Sequence, residues 1–145
     1  MNETGPILVV GPVFLISMER RMTNIQDITI ASIKLNKTSK NLKEKISELE
    51  SILKKLNFGI EVWTPQDKTG LELGYIKISS GNWGLAIRKD DKVMSFSNSP
   101  RLLRVLGIDH IPVLLSILYD TSMELEDNIN SKLITVEKVI NMLTD

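Results

Sequence analysis

The sequence predicts an α+β fold: a long N-terminal helix, a four-stranded antiparallel β-meander, a short helix and a long C-terminal helix. Three observations predict it. Apolar residues recur every seven positions in the first part of the chain, alternate with polar residues in the middle, and form a helical stripe in the last part. The chain has 145 residues, the size of one ordinary domain. We therefore expect a single domain over residues 1–145, whose two long helices pack in a coiled-coil-like manner.

Residues 1–21 form an apolar extension ahead of the first helix. Its run GPILVVGPVFLIS contains Pro6 and Pro12 and is too short to span a bilayer. It also lacks the basic start and the small-residue cleavage site of a signal peptide. Two interpretations stay open: short strands that join a sheet or a partner, or an extension ahead of a start at Met18 or Met22. Neither includes a membrane span.

The strongest periodic signal predicts a long helix over residues 22–57. Apolar residues hold one heptad position without a break from Ile28 to Leu56, and Asn24 or Thr23 can cap the start of the helix. A strict repeat of this length favours packing against a partner helix over lying flat on a sheet. The predicted interaction seam consists of Ile28, Leu35, Leu42, Ile46, Leu49, Leu53 and Leu56.

A β-meander is predicted for residues 58–98, where the apolar period changes to two. The segments GIEVWT, LELGYIKIS and NWGLAIR alternate apolar and polar side chains, and a fourth short strand follows at residues 93–96. Ser80-Gly81 and Lys89-Asp90-Asp91 are connections of hairpin length that are rich in turn residues. These segments therefore form the antiparallel head of the fold.

A short helix over residues 99–107 and a long helix over residues 109–144 are predicted after the meander. Ser99 is a capping residue before Pro100, Gly107 is expected to end the short helix in the left-handed conformation, and Asp109 is expected to cap the long helix. The long helix carries an apolar stripe through Ile111, Leu114, Leu118, Leu125, Ile129, Leu133, Val136, Ile140 and Leu143.

The charge pattern indicates how the two long helices pair. Eighteen basic and eighteen acidic residues cancel, which disfavours general nucleic-acid binding. Residues 34–55 hold seven lysines and three glutamates, a net charge of +4, whereas residues 109–145 hold seven acids and two lysines, a net charge of −5. Opposite charges favour side-by-side helices, within one chain or between chains. Because two helices leave one side of each stripe in water, we expect a homodimer or larger assembly, with another protein's helix as the alternative partner.

No stretch carries a catalytic, cofactor or metal signature. The absence of cysteine excludes disulfides and thiolate chemistry and fits the cytoplasm. The one histidine, His110, is interpreted as an ordinary helix-start residue, since no nucleophile-elbow pattern surrounds a serine. Glu124, Glu126 and Asp127 point in different directions around a helix, and SGNWG is not a phosphate-binding loop. The sequence favours a protein without catalysis, cofactor or metal.

One hypothesis for a ligand site concerns the β head. Backbone N–H groups at the start of the Pro100 helix, together with two arginines three residues apart, can bind a carboxylate or a phosphate. In the competing interpretation the aromatic residues belong to the core and the arginines pair with acidic neighbours. The candidate ligand-binding residues are Arg88, Lys92, Arg101, Arg104, Trp83 and Tyr75.

Two functions follow from these patterns. The first is a non-catalytic, homo-oligomeric interaction module, such as an adaptor, regulatory or accessory protein, that acts through its long amphipathic helices. The alternative is a protein that binds or sequesters a small anionic, nucleotide-like ligand on the β head near the start of the Pro100 helix.

Overall fold

The structure is a computed structural model, and it describes residues 24–145. Three helices and one four-stranded antiparallel sheet follow each other in the predicted order, so the α+β fold class is confirmed. Coiled-coil packing of the long helices is not seen among the described residues and stays a prediction. The apolar extension, residues 1–21, lies outside the described part of the chain. The elements are α1 (Ile25–Leu56), β1 (Val62–Trp63), β2 (Glu72–Ser79), β3 (Asn82–Lys89), β4 (Lys92–Ser95), α2 (Arg101–Ile108) and α3 (Ile111–Thr144).

The contacts divide the chain within α1 into two units, one ending at Leu42 and one spanning Lys43–Asp145. In the first unit, Asn24 caps α1 as predicted. Its side-chain oxygen accepts hydrogen bonds from the backbone N–H groups of Gln26, at 3.1 Å, and Asp27, at 3.4 Å. These bonds satisfy two of the four amide groups that the first turn of a helix leaves without partners.

The second unit contains the sheet, whose strands are ordered β1-β2-β3-β4 as a meander. The hairpin between β2 and β3 turns at Ser80-Gly81, where Gly81 has φ of 72°. The hairpin between β3 and β4 turns at Asp90 and Asp91, with φ of 53° and 64°. Two consecutive left-handed residues are typical of a two-residue turn whose twist matches the flanking strands. Both predicted hairpins are therefore present.

The core of the second unit joins the sheet to the end of α1 and the beginning of α3. Ile46 and Leu53 of α1 and Leu114 and Leu118 of α3 are buried. Glu50 lies on the same side of α1 as Ile46 and Leu53, and its carboxylate accepts a hydrogen bond of 2.6 Å from the backbone N–H of a β3 residue. The strands and the residues directly beside them contribute six side chains that are at most 1% exposed: Leu71, Leu73, Tyr75, Leu85, Ile87 and Phe96.

The junction between β4 and α3 differs from the prediction at three residues. The Ser99 hydroxyl does not cap α2; it donates a hydrogen bond of 2.7 Å to the carbonyl of Phe96. Gly107 does not end α2 in the left-handed conformation, since it lies inside the helix with an ordinary φ. Asp109 is the C-cap residue of α2 and not the N-cap residue of α3. The N-cap position of α3 is occupied by His110, whose side chain makes no capping hydrogen bond.

Packing explains the glycine at position 107. A Cβ atom there would lie 2.4 Å from Cε1 of the buried Phe96 ring and 3.2 Å from Cδ1 of Ile87. Gly107 is therefore required for the close approach of α2 to the sheet and not for a turn.

Candidate functional site

The arginines of the β head are engaged within the fold. Arg88 donates from Nε to Oε1 of Glu72, and its guanidinium carbon lies 4.1 Å from the centre of the Trp63 ring. The hydrogen bond to Glu72 raises the pKa of Arg88 above its ordinary value. Arg104 donates from Nη1 to the carbonyl of Ser99, at the start of its own helix. Arg88 and Arg104 thus have different partners, and the role of both in ligand binding stays a prediction.

Of the four remaining predicted ligand residues, two are exposed cations and two form an aromatic stack. Lys92 and Arg101 are exposed, Lys92 at the start of β4 and Arg101 at the start of α2. Tyr75 and Trp83 are brought together: their rings stack with centroids 5.6 Å apart and planes inclined by 23°. Tyr75 is buried, and this burial, together with the negative charge of Glu50, raises the pKa of its hydroxyl.

A small pocket of about 180 Å³ lies beside the stacked rings of Tyr75 and Trp83. Lys54, in the last turn of α1, is the cation at this pocket, a residue that the ligand hypothesis from sequence did not include. Among residues 24–145 Lys54 forms no ion pair. The pocket is lined by Lys54, Asn57, Gly59, Tyr75, Gly81, Asn82 and Trp83. Apolar rings with one cation and two amides suit a small planar anion.

His110 belongs to a buried hydrogen-bonded cluster of the second unit. Its Nε2 lies 2.8 Å from Oδ2 of Asp67, and its Nδ1 lies 3.0 Å from the hydroxyl oxygen of Thr64. That hydroxyl oxygen also accepts a hydrogen bond of 2.9 Å from the backbone N–H of Leu73. The cluster therefore links the loop after β1, strand β2 and the start of α3.

The Asp67 carboxylate is held in its charged form. Its Oδ1 accepts hydrogen bonds from the backbone N–H and the hydroxyl of Thr69, at 2.8 and 2.6 Å, and from the backbone N–H of Leu71, at 3.0 Å. Burial raises the pKa of Asp67, but the hydrogen bonds from Thr69, Leu71 and His110 together outweigh it and hold the pKa well below the ordinary value.

Hydrogen bonds connect Thr64 to His110 and His110 to Asp67, as in a hydrolytic triad. The location of this cluster does not suit catalysis. Thr64 is only 2% exposed, so a substrate cannot reach its hydroxyl. The hydroxyl is instead used to satisfy a β2 amide. We interpret the cluster as a structural junction. His110 was expected to be an ordinary residue at a helix start, and in the structure both of its ring nitrogens have side-chain partners.

The predicted seam of α1 is divided between buried and exposed residues. In the second unit Ile46 and Leu53 are buried against the head, Leu49 is half-buried and Leu56 is exposed. In the first unit Leu42 is half-buried, and Ile28 and Leu35 are exposed. Ile46 and Leu53 of the predicted seam therefore serve the core near the sheet. The seam residues left exposed are Ile28, Leu35 and Leu56.

Helix α3 presents the largest exposed apolar surface of the second unit. Its stripe is buried at Leu114 and Leu118, but every residue from Met123 onward is exposed. The stripe residues in this exposed half are Leu125, Ile129, Leu133, Val136, Ile140 and Leu143, each at least 41% exposed. Spacings of three and four residues keep them on the same face as Leu114 and Leu118.

A notch of about 290 Å³ marks the place where this stripe leaves the core. It lies between the end of α1 and the middle of α3, and apolar side chains line most of it: Leu56, Phe58, Ile60, Leu125 and Ile129. The Ser122 hydroxyl also borders the notch and is buried without a hydrogen-bond partner. The apolar surface is thus continuous from the head to the end of α3.

Within residues 24–145 no group of three or more acidic or histidine side chains has the geometry to hold a metal ion. In the same range no single helix has the length and hydropathy to cross a membrane; α2 and α3 meet these criteria only as a pair, which is bent by 56°. Leu114 and Leu118 of this pair are part of the core of the second unit.

Comparisons with family models, with curated proteins and with solved structures found no significant match to this chain. The candidate surfaces therefore rest on the geometry described above.

Proposed function

We propose that the protein is a non-catalytic, homo-oligomeric interaction module, an adaptor, regulatory or accessory protein of the cytoplasm that acts through its long helices. The observation that carries this proposal is the apolar stripe of α3, which continues past the core with every residue from Met123 exposed. The charges of the two long helices, positive on α1 and negative on α3, are consistent with the same function because opposite charges favour side-by-side helices, within one chain or between chains.

The stability of α3 depends on what covers its exposed apolar face. The exposed part of α3 is about 33 Å long, and a helix of this kind obtains most of its stability from packing of its apolar face. Burying the exposed half of one large aliphatic side chain contributes about 1 kcal/mol. The five stripe residues of one copy from Ile129 to Leu143 therefore supply about 5 kcal/mol when a second copy covers them. That gain is the driving force for self-association.

The experiment is a measurement of molar mass by sedimentation equilibrium. The chain has a mass of 16.3 kDa, and we expect a species of at least twice that value. Leu133→Asp places a charge in the stripe and is expected to shift the equilibrium toward monomer. Asn141→Asp adds the same charge to α3 outside the stripe and serves as the matched control. An unchanged mass in Leu133→Asp would contradict the role of the stripe.

Binding of a small anionic ligand is a second candidate function, and the pocket beside Tyr75 and Trp83 favours it. A panel of nucleotides, inorganic phosphate and aromatic carboxylates would be screened by thermal melting, since a ligand that binds only the folded state raises the melting temperature. We expect a shift of a few degrees that Lys54→Ala removes and that Lys55→Ala, one residue outside the pocket, retains. A flat panel would reject this function.

A further inference from the structure

We propose that α3 pairs with α3 of a second copy in parallel and in register, over residues 129–143. The inference rests on the self-association proposed above and adds its orientation. Five exposed residues, Ile129, Leu133, Val136, Ile140 and Leu143, are spaced by four, three, four and three positions. This is the repeat of a coiled-coil seam, with Leu133 and Ile140 at position a and the other three at position d.

The seam has a natural start at Ile129. One heptad before Leu133, position a is occupied by Glu126, whose carboxylate accepts a hydrogen bond from the side-chain amide of Asn130. In a parallel pair two Glu126 carboxylates would meet at the seam, which is unfavourable. The pairing therefore begins at Ile129, the last α3 residue that lines the notch. This residue lies about 16 Å along α3 from the buried Leu118, and this distance leaves room for two heads at the same end.

Two charged residues give the orientation. In the same heptad frame Lys132 is at position g and Glu137 is at position e. In a parallel pair, the g residue of one helix lies beside the e residue five positions further along its partner, so two-fold symmetry gives two bridges between Lys132 and Glu137. Among the described residues neither side chain forms an ion pair within its own chain. Both are available for the partner.

An antiparallel pair lacks this complementarity. There, g positions face g positions and e positions face e positions. The other g residues near the seam are Leu125 and Val139, and the other e residues are Asn130 and Thr144, so Lys132 and Glu137 would find no opposite charge. The parallel arrangement is thus the one that uses every charge flanking the seam.

Single cysteines test the orientation directly, because the chain contains no cysteine of its own. Ile129→Cys and Leu143→Cys are each expected to form a disulfide with the same residue of the second copy under mild oxidation. Asn141→Cys, on the outer face, is the control and is expected to remain reduced. In an antiparallel pair centred between Leu133 and Val136, two copies of residue 143 would lie about 26 Å apart and could not link.

The outcomes separate orientation from self-association. Dimer mass with self-linking of both variants supports the proposal. Dimer mass without self-linking, with a disulfide between mixed Ile129→Cys and Ile140→Cys chains, would overturn the parallel orientation and leave self-association intact. A monomer would overturn both.

A charge exchange provides a second, independent measurement. Lys132→Glu and Glu137→Lys are each expected to raise the dissociation constant of the dimer about three-fold or more. The double variant, with both changes in one chain, is expected to return close to the original value because the bridges are restored with reversed sign. Additive weakening in the double variant would contradict the Lys132 to Glu137 contact.

Discussion

Replacing Asp67 by alanine tests the junction that connects the sheet to the start of α3. The substitution removes the acceptor of the Leu71 backbone N–H and the partner of His110 Nε2. Leu71 is fully buried and His110 is only 9% exposed, so water replaces neither bond well. The two bonds from Thr69 are exposed and contribute less, because water can take the place of the carboxylate there.

The expected magnitude follows from these contacts. A buried amide left without an acceptor costs about 1 to 3 kcal/mol, and loss of the partner of His110 costs about 1 kcal/mol more. We expect Asp67→Ala to lower the free energy of unfolding by about 3 kcal/mol. For a chain of this size that corresponds to a fall in melting temperature of about 10 °C. Asp67→Asn keeps the oxygen that serves Thr69 and Leu71, so its cost is expected to be about 1 kcal/mol.

The assay is thermal and urea unfolding of the two variants beside the unmodified protein. Protein concentration is held constant, because self-association makes the melting temperature depend on it. Equal destabilisation by alanine and asparagine would refute the assignment of the main effect to the Leu71 amide. An unchanged melting temperature in Asp67→Ala would refute the junction as a whole.

Three further predictions follow from the described contacts. Folding lowers the pKa of Asp67, so the contribution of this carboxylate to stability is complete above its unfolded pKa and is lost as the pH falls below that value. The difference in melting temperature between the unmodified protein and Asp67→Asn is therefore expected to shrink below about pH 4. A difference that stays constant with pH would contradict the lowered pKa. Gly107→Ala is expected to lower the free energy of unfolding in urea by about 2 kcal/mol, because the clash of the new Cβ with Phe96 exceeds the gain in helix propensity. Phe96→Leu in the same chain should relieve part of that cost. If the effects of the two substitutions simply add, the contact between positions 107 and 96 is contradicted. Glu50→Ala is expected to cost about 2 kcal/mol by leaving the Leu85 amide without an acceptor, whereas Glu50→Gln should cost less than half as much, and equal costs would speak against this hydrogen bond.

The order and type of the elements could be predicted because local periodicity carries them. The apolar alternation of the strands, the turn residues Gly81, Asp90 and Asp91, and the Asn24 cap are all decided by neighbours a few residues away. The fold class followed from these local features.

Features that depend on distant residues could not be predicted. Gly107 was expected to end a helix, but its role comes from the ring of Phe96, which lies against it in the folded chain. The contacts of His110 join residues 43 and 46 positions apart, a separation that no local pattern encodes. In the same way, a seven-residue apolar repeat does not distinguish a helix partner from a sheet, and the structure directs Ile46 and Leu53 of α1 to the core of the head.

The candidate ligand residues also include some that the sequence could predict and one that it could not. The sequence named Tyr75 and Trp83 among six candidate ligand-binding residues, and the structure stacks these two rings beside a pocket. It did not identify Lys54, since a lysine in the last turn of a helix is an ordinary dipole partner and only the fold brings it to the β2–β3 hairpin.

Self-association through the exposed face of α3 is the central claim, and the molar mass of the unmodified chain tests it most directly. Sedimentation equilibrium over a concentration series up to about 100 µM covers the range in which a short helical seam associates. We expect the mass to rise from 16.3 kDa to at least twice that value and to fall back in Leu133→Asp but not in Asn141→Asp. A mass of 16.3 kDa at every concentration would contradict the claim.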